Sequence, residues 1–280
     1  MQLTFLGTGT STGVPHVGCT CRVCHSDDPR DKRSRTSALL KCPTGRHILI
    51  DCGPDFRMQM LDFQKQNADE DWGETLIGPY SYALPAITHC LISHEHYDHV
   101  GGLDDLRPFS NINTIAVCGE QHIVDLVHRN MSYCFRKQAY PGSPHLALQT
   151  LHPNVPFEAE GLEVLPLRVM HGKLNILGFR FRPIEGNSPT LAYITDMTTA
   201  PQETLDAIKN VDVLVVNGLR WARPHLTHQR IDDAILLAQE LKAKQTYLIH
   251  LCHGAGLHEE TSKRLPSYVH LAYDGLKIDL

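Results

Sequence analysis

Residues 93–99 read Ser-His-Glu-His-Tyr-Asp-His, and this stretch decides the fold. It places four side chains able to bind a metal within six residues: His94, His96, Asp98 and His99. A predicted apolar strand, His89–Ser93, leads directly into it. Because regular structure cannot present all four on one face, they must project from a loop. The spacing therefore predicts a tight loop that directs His94 and His96 at one metal ion and Asp98 and His99 at a second.

The pattern H-x-H-x-D-H after a strand resembles the metallo-β-lactamase superfamily. The resemblance implies an α/β fold, an αββα sandwich with a two-metal site at one edge. It also implies three more ligands at strand ends, and the chain offers them in the required order: His171 after Leu165–Met170, Asp196 after Leu191–Thr195 and His250 after Thr246–Ile249. Taken singly, each is an ordinary strand-end histidine or turn aspartate, so the interpretation depends on the ordered set.

The resemblance divides these side chains between two divalent ions, zinc or manganese, with Asp196 bridging them. The two implied ligand sets are His94, His96, His171 and Asp196 for one ion, and Asp98, His99, Asp196 and His250 for the other. Asp51, in the stretch Ile50-Asp51-Cys52-Gly53, matches the first short motif of the superfamily. There that residue does not bind the metals itself but orients the metal loop through hydrogen bonds.

A second motif, C-x-C-x-x-C, is formed by Cys19, Cys21 and Cys24. Three thiols within six residues of a cytosolic chain indicate a metal-binding knuckle, and a closed structural zinc site needs a fourth ligand. Cys252 and His253 both follow His250 closely enough to supply it. A redox-active thiol cluster is the competing interpretation.

The two motifs together resemble the PhnP type of phosphodiesterase, which opens phosphoribosyl 1,2-cyclic phosphate in phosphonate breakdown. In that family the knuckle and a histidine three residues beyond the last active-site histidine bind a structural zinc. The resemblance therefore implies one structural zinc held by four residues: Cys19, Cys21, Cys24 and His253.

The segment Arg223-Pro224-His225-Leu226-Thr227-His228 carries a third feature, a histidine just before a predicted helix, Gln229–Ala243. In the phosphodiesterases that the chain resembles, and in tRNA 3′-processing endonucleases, such a histidine acts on the leaving group. The match implies that His228 is catalytic, together with Asp98. A helix N-terminus would lower the pKa of this histidine, so a bound phosphate would be needed to keep it protonated. For His225 two interpretations stay open: it supports a site residue from behind, or it lies at the surface.

Composition excludes several classes of protein. The chain has 280 residues, of which 42% are hydrophobic, and 26 Lys+Arg against 31 Asp+Glu give a net charge of −5. This is the composition of a globular protein, and the absence of a basic excess argues against a nucleic-acid partner. Neither a signal sequence nor an apolar run of about 18 residues is present, so we expect a cytoplasmic protein with no membrane partner.

The order of predicted elements indicates one domain spanning residues 1–280. Strands and helices alternate along the chain, and residues 66–85 are polar and rich in turn residues, as in a surface insertion. This insertion and the stretch Arg129–Pro144 do not match the family and would shape the substrate pocket. Proteins that the chain resembles are frequently dimers, which leaves a homodimer open.

Together these features predict a metal-dependent phosphodiesterase that acts on a small phosphodiester, cyclic or linear, through a hydroxide generated between two metal ions. A tRNA 3′-processing endonuclease is one alternative, although neither an RNA-binding arm nor a basic face is evident. A protein like PqqB, which acts in quinone cofactor biosynthesis, is another, and a module in which zinc only holds the fold is a third. The filled set of seven active-site ligand positions favours hydrolysis.

Overall fold

The fold is defined by strands that are buried on one or both faces and by helices that cover them. The structure is a computed structural model that describes residues 1–77, 79–138, 140, 142–186 and 189–280. In these ranges the strands are β1 Gln2–Gly7, β2 Ser37–Lys41, β3 His47–Ile50, β4 Thr75–Ile77, β5 Tyr80–Tyr82, β6 Ile87–Leu91, β7 Ile115–Gly119, β8 Leu146–Thr150, β9 Phe157–Ala159, β10 Leu162–His171, β11 Leu174–Pro183, β12 Leu191–Ile194, β13 Val213–Asn217, β14 Gln245–Ile249, β15 Val269–Leu271 and β16 Lys277–Asp279. The α-helices are α1 Phe56–Gln66, α2 Tyr97–Val100, α3 Arg107–Ser110, α4 Gln121–Asn130, α5 Gln202–Ala207, α6 Ile231–Leu241 and α7 His258–Ser262.

Two seven-stranded sheets form the two inner layers. The first has the strand order β16-β1-β2-β3-β6-β7-β8, and the second has the order β15-β14-β13-β12-β11-β10-β9. Alternation specifies the inner faces, as on β10, where buried Leu162 and Val164 alternate with partly exposed Glu163 and Leu165. Large side chains from both sheets, among them Phe5, fill the layer between them. The two sheets therefore pack face to face around one apolar layer.

Helices cover the outer face of each sheet. Phe56 and Met60 of α1 and Ile123 of α4 pack on the first sheet. On the second sheet, Ile231 and Ala238 of α6 lie in the same apolar cluster as the strand residues they cover. Because each helix buries one apolar stripe against a sheet, the layers run helix, sheet, sheet, helix. This confirms the expected αββα sandwich.

The strand directions explain where functional residues gather. β3, β6, β7 and β8 are parallel neighbours in the first sheet, and β12, β13, β14 and β15 are parallel neighbours in the second. Carboxyl ends of parallel strands meet at one edge of a sheet, where loops can present side chains to a common site. The segments after β3, β6, β12 and β14 hold most of the sequence-predicted ligands.

Most helices and strands begin and end within a few residues of the positions expected from the sequence. The helix expected over Gln229–Ala243 is α6, Ile231–Leu241, which is shorter at both ends. The expected insertion contains a small two-stranded sheet, β4–β5, with Gly78 outside the described residues. The unmatched stretch Arg129–Pro144 includes Ala139 and Pro141, which also lie outside them. In the part of the chain that is described, no helix is long and apolar enough to cross a bilayer.

Candidate metal centre and its neighbouring cysteine knuckle

The loop that follows β6 carries the four motif residues and turns at once into the short helix α2. Two backbone hydrogen bonds tie it to the segment after β3: Cys52 N donates to His99 O at 2.8 Å, and Gly102 N donates to Cys52 O at 2.8 Å. Gly53 and Gly102 allow this close approach, since a Cβ on Gly53 would overlap the carbonyl of Asp98. The two segments are thus held as one rigid unit.

One group of side chains, cluster A, consists of His94, His96, His171 and Asp196. Each offers one nitrogen or oxygen atom, and these atoms all lie within 4.8 Å of one another. His94 Nε2 lies 3.0 Å from His96 Nδ1 and 3.6 Å from Asp196 Oδ2. Because imidazole and carboxylate are the usual ligands of zinc and manganese, cluster A could hold such an ion.

A second group, cluster B, consists of Asp98, His99, Asp196 and His250, and all four are buried. His250 Nε2 lies 3.1 Å from Asp196 Oδ1, and His99 Nε2 lies 3.2 Å from Asp98 Oδ2. Asp196 belongs to both clusters and presents Oδ2 to cluster A and Oδ1 to His250. The structure therefore brings together all seven residues that the sequence assigned to the site.

Buried ring nitrogens that lack a hydrogen bond indicate whether these residues suit a metal ion. The Nε2 atoms of His99 and His250 are buried and form no hydrogen bond within the described ranges. Leaving a buried polar atom without a partner costs about 1–3 kcal/mol. Aromatic ring nitrogens left bare beside two carboxylates fit a cation better than they fit an apolar core. On this observation the donor set suits divalent ions.

Hydrogen bonds from outside the two clusters fix the orientation of the histidines. Asp51 Oδ2 lies 2.7 Å from His99 Nδ1, and it also accepts a 2.8 Å bond from the hydroxyl of Ser93. His171 Nδ1 lies 2.8 Å from the carbonyl of Asp196 and 2.9 Å from that of Thr227. Because carbonyl oxygens only accept, His171 Nδ1 carries the proton and Nε2 keeps its lone pair for a metal.

Three site residues adopt a backbone conformation that L-residues rarely occupy. Asp51, Asp196 and His250 have φ of 58°, 55° and 54°. Asp51 and His250 directly follow the last residue of a strand and Asp196 lies two residues beyond one, where a sharp turn directs the side chain from the sheet into the site. A non-glycine residue in this region costs roughly 1–2 kcal/mol. The surrounding hydrogen bonds sustain that strain at the three positions where the chemistry needs a particular side chain.

Burial and mutual charge shift the pKa values in the site. Burial holds the pKa of His94 well below its usual range, and the positive charge on His99 acts in the same direction. Burial opposes ionisation of Asp196, but His250 and His99 outweigh it and hold the Asp196 pKa well below its usual value. The site is therefore built to keep carboxylates ionised, as metal binding requires.

His228 lies beside both clusters. Its ring centroid is 4.7 Å from that of His171 and 4.8 Å from that of His250. Burial, reinforced by the charge of His250, lowers the pKa of His228 to about 3. The direction agrees with the sequence-based expectation, but its chief cause is burial rather than the helix. His225 is exposed and its ring lies 5.0 Å from that of His228.

The cysteine knuckle forms a separate cluster. Cys19, Cys21 and Cys24 surround His253, whose Nδ1 lies 3.1, 3.6 and 3.5 Å from their Sγ atoms. These four could hold one ion, and of the two candidate fourth ligands the structure brings only His253 into the cluster. The backbone N–H of Cys24 donates to Cys21 Sγ and lowers the Cys21 pKa to about 6. A thiol with that pKa is readily a thiolate, which is the form that binds zinc.

Sequence reasoning missed several supporting residues. Asn217, at the end of β13, clamps the backbone of Met197 by accepting from its N–H at 2.8 Å and donating to its carbonyl at 3.0 Å. Thr195 donates from its hydroxyl to Asp196 Oδ1 at 2.6 Å. No sequence motif marks either residue, since polar residues are common at strand ends. Only the three-dimensional proximity reveals that they hold the shared aspartate in place.

Residues 46–251 match the family model described as "Beta-lactamase superfamily domain". The chain belongs to the beta-lactamase superfamily. Within it, the chain is 33% identical to a solved structure described as a new diphosphatase from the PhnP family, with a TM-score of 0.81. That match covers 99% of this chain and 96% of the other. The expected resemblance to the PhnP type is thereby confirmed.

Two further comparisons bear on this superfamily member. Zn²⁺-bound PqqB from Methylobacterium extorquens shares its fold, with a TM-score of 0.78, 19% identity and full coverage of both chains. A protein named octanoyltransferase, from Porphyromonas gingivalis (strain ATCC BAA-308 / W83), is 42% identical over 277 residues, which are 99% of this chain and 51% of that protein. The chain thus spans about half the length of this relative. The superfamily fold, its hydrolase neighbours and the metal-suited clusters support a hydrolase.

Proposed function

We propose that the chain is a metal-dependent phosphodiesterase that acts on a small phosphodiester. The observation that carries the proposal is the sharing of Asp196 by clusters A and B, with His228 packed against both. In this proposal the seven residues of the two clusters hold two divalent ions, zinc or manganese. Such ions would act as Lewis acids toward phosphate oxygens and lower the pKa of water to near neutrality.

The protein's own residues then have separate tasks. Asp51 and the carbonyl of Thr227 fix the rings of His99 and His171, so that their Nε2 atoms face the site. The carboxylates of Asp98 and Asp196 provide fixed negative charge that balances bound cations. These groups are in place before substrate binds, so no reorganisation is needed during the reaction.

His228 is proposed as the residue that acts on the leaving group. A pKa near 3 makes its imidazole neutral at pH 7, and a neutral imidazole still donates one N–H hydrogen bond. An anionic phosphate bound next to the ring favours its protonated form. A proton passed from His228 to the departing oxygen would make the leaving group an alcohol instead of an alkoxide.

Phosphorus chemistry is favoured over other hydrolytic reactions by the PhnP-family relative, which is described as a diphosphatase. Diphosphates and phosphodiesters share an anionic phosphorus with a P–O bond to break, and both need positive charge next to a leaving oxygen. The proposal is therefore phosphoric ester hydrolysis, with the structural zinc at Cys19, Cys21, Cys24 and His253 serving the fold.

The direct test is hydrolysis of bis-p-nitrophenyl phosphate by protein loaded with zinc or manganese. We expect turnover in the parent protein and its loss in His94→Ala and Asp196→Ala. The matched control is His128→Ala on the exposed surface of α4, which should keep parent activity. Fully loaded protein that hydrolyses no phosphodiester would contradict the proposal. Metal analysis should give three ions per chain.

We further propose that the partner is a small molecule rather than tRNA, since the net charge is −5. A salt-sensitive gel shift with tRNA would instead favour a 3′-processing endonuclease, and two or fewer ions per chain would favour a PqqB-like role. A cytoplasmic location and a homodimer are likewise proposals, which fractionation and light scattering would test.

Octanoyl transfer is assigned to the named relative as a whole, and this chain matches only half of it. We propose that hydrolysis belongs to the half that matches and octanoyl transfer to the other half. The isolated chain should then transfer no octanoyl group from an acyl carrier protein. Transfer by the isolated chain, abolished in His94→Ala, would overturn this assignment.

A further inference from the structure

We infer that a cavity beside α1, separate from clusters A and B, binds a small primary amine in its protonated form. The cavity has a volume of about 180 Å³ and is lined by α1, by β1 and by the turn at Asp274–Gly275 that follows β15. Its polar lining includes Asp55, Gln59, Asp62, Gln66 and Asp274. The inference goes beyond the proposed function and does not depend on it.

The charge of the lining favours a cation. Three aspartates line the cavity, and no lysine, arginine or histidine does. Asp55 forms an ion pair with Arg35 at 2.5 Å, and Arg33, buried nearby, offsets part of the charge of Asp274. Asp62 is exposed and has no ion-pair partner in the part of the chain that is described. One negative charge is therefore left uncompensated at the cavity, where it attracts a positively charged ligand.

A buried amide in the cavity wall is a second, independent indication of a ligand. Gln59 is only 5% exposed, and its Nε2 donates to Ser34 Oγ at 2.9 Å and to the carbonyl of Arg35 at 2.8 Å. Since a carbonyl only accepts, these bonds fix which branch of the amide is Oε1. Gln59 Oε1 is buried and has no hydrogen-bond partner among the described residues. Such an acceptor is destabilising until a donor reaches it, and a ligand in the cavity supplies that donor.

A primary ammonium group fits these acceptors better than other ligands do. It carries a positive charge and three N–H donors, and it has no acceptor of its own. It can therefore bind the carboxylate of Asp62 and the amide oxygen of Gln59 together. An anion would face three carboxylates instead. A divalent metal is disfavoured, because Asp55, Asp62 and Asp274 are not among the described groups whose ligand atoms all lie within 4.8 Å of one another.

The size and the apolar part of the lining limit the rest of the ligand. Sites for drug-sized ligands usually have about 300–1,000 Å³, and a water molecule takes up about 30 Å³ of liquid. A cavity of about 180 Å³ thus suits a ligand of about six non-hydrogen atoms. Leu6 and Phe63, which belong to the apolar cluster beneath α1, also line it and would contact an alkyl chain. The ligand is therefore an amine with about four carbons.

The experiment compares n-butylamine with 1-butanol by calorimetric titration of the metal-loaded chain at pH 8, where an alkylamine is protonated. The parent protein should bind n-butylamine at least about tenfold more tightly, as expected for one charge-assisted hydrogen bond. Butyltrimethylammonium keeps the charge but has no N–H to donate. It should bind at least about threefold more weakly than n-butylamine.

Variants locate the binding site. In Asp62→Asn the preference for the amine over the alcohol should fall to about threefold or less, because the uncompensated charge is gone. Gln59→Met removes the buried acceptor and should weaken the binding of n-butylamine while leaving that of 1-butanol unchanged. Asp125→Asn, exposed on α4, is the matched control and should keep the parent preference. His94→Ala should also keep it, since the cavity lies outside cluster A.

Thermal melting checks that each variant folds. An unchanged preference in folded Asp62→Asn would overturn the inference, and so would a parent preference near one. Loss of the preference in His94→Ala would also overturn it, because the amine would then bind at the metal centre. If Gln59→Met does not fold, Asp62→Asn, at an exposed position, still decides the result. No measurement here depends on turnover, so a protein that hydrolyses no phosphodiester still tests the cavity.

Discussion

Asp51 Oδ2 lies 2.7 Å from Nδ1 of His99, and both side chains are completely buried. The same carboxylate accepts the backbone N–H and the hydroxyl of Ser93, both at 2.8 Å. Burial opposes a charge on His99, yet Asp51 and Asp196 hold the His99 pKa well above its usual range. Asp51 thus fixes the imidazole from behind and leaves Nε2 for the site.

Replacing Asp51 with alanine should loosen cluster B without removing any of its four members. Loss of an outer hydrogen-bond partner typically lowers metal affinity or activity by about 10–100-fold. We expect cluster B to bind its proposed ion with lower affinity, as measured by competition with a chelator, and kcat to fall by a similar factor. Asp125→Ala on the exposed face of α4 is the control. Parent metal affinity in folded Asp51→Ala would show that His99 needs no such support.

Replacing His228 with alanine should reduce turnover in proportion to how poor the leaving group is. General acid catalysis contributes about 10²–10⁴-fold when the leaving oxygen needs a proton. Nitrophenolate leaves without one, so bis-p-nitrophenyl phosphate should lose much less activity than an alkyl phosphodiester. The measurement is kcat on both substrates in parent and variant. An equal loss on both would mean that His228 only positions substrate.

The stability of the protein should decrease in mild acid because of His47. Burial lowers the pKa of His47 to about 4, and its Nδ1 has no partner among the described residues. Above about pH 6.5 the ring is neutral whether folded or unfolded. Between pH 6.5 and 4 the unfolded chain binds the proton more readily, so the free energy of unfolding falls by up to about 3 kcal/mol.

Denaturant unfolding at pH 7 and pH 4.5 measures this loss. His47→Leu should reduce the difference between the two pH values, because its buried position accepts an apolar group. His128→Leu, exposed on α4, is the control. An unaltered pH dependence in His47→Leu would exclude His47 as a contributor.

We expect the knuckle to bind an ion independently of clusters A and B. Cys24→Ser is expected to lower the metal content from three ions per chain to two and to lower the melting temperature. Cys42→Ser, a buried cysteine outside the knuckle, is the control for metal content and should keep three ions. A third ion retained at full affinity in Cys24→Ser would contradict the assignment of the knuckle.

The layer between the two sheets should be the most sensitive to truncation. Phe179 is fully buried there, and Phe→Ala in a core typically costs about 3–5 kcal/mol. Leu236, on α6, is 64% exposed, and Leu236→Ala should change the free energy of unfolding by less than about 0.5 kcal/mol. Equal effects in the two variants, measured in guanidinium, would mean that the sheets do not form one core.

Short motifs, together with the family resemblance that they carry, were sufficient to predict the architecture and the members of clusters A and B. The motif around His94 is a short-range signal, and the family resemblance that it carries implied His171, Asp196 and His250 at strand ends. The supporting residues could not be predicted in this way. Asn217 and Thr227 act through contacts between loops far apart in sequence, and the left-handed backbone at Asp196 leaves no trace in composition.

His250 of cluster B and His253 of the knuckle are three residues apart on one short segment. Leu251, between them, is hydrogen-bonded on both sides to the strand-like segment Thr8–Thr10 that leads toward the cysteines. If the knuckle holds zinc as proposed, a shortage of zinc would loosen the segment that carries His250, even when manganese fills clusters A and B. The ion proposed for the knuckle takes no part in the reaction, yet its supply would determine whether His250 is held in cluster B.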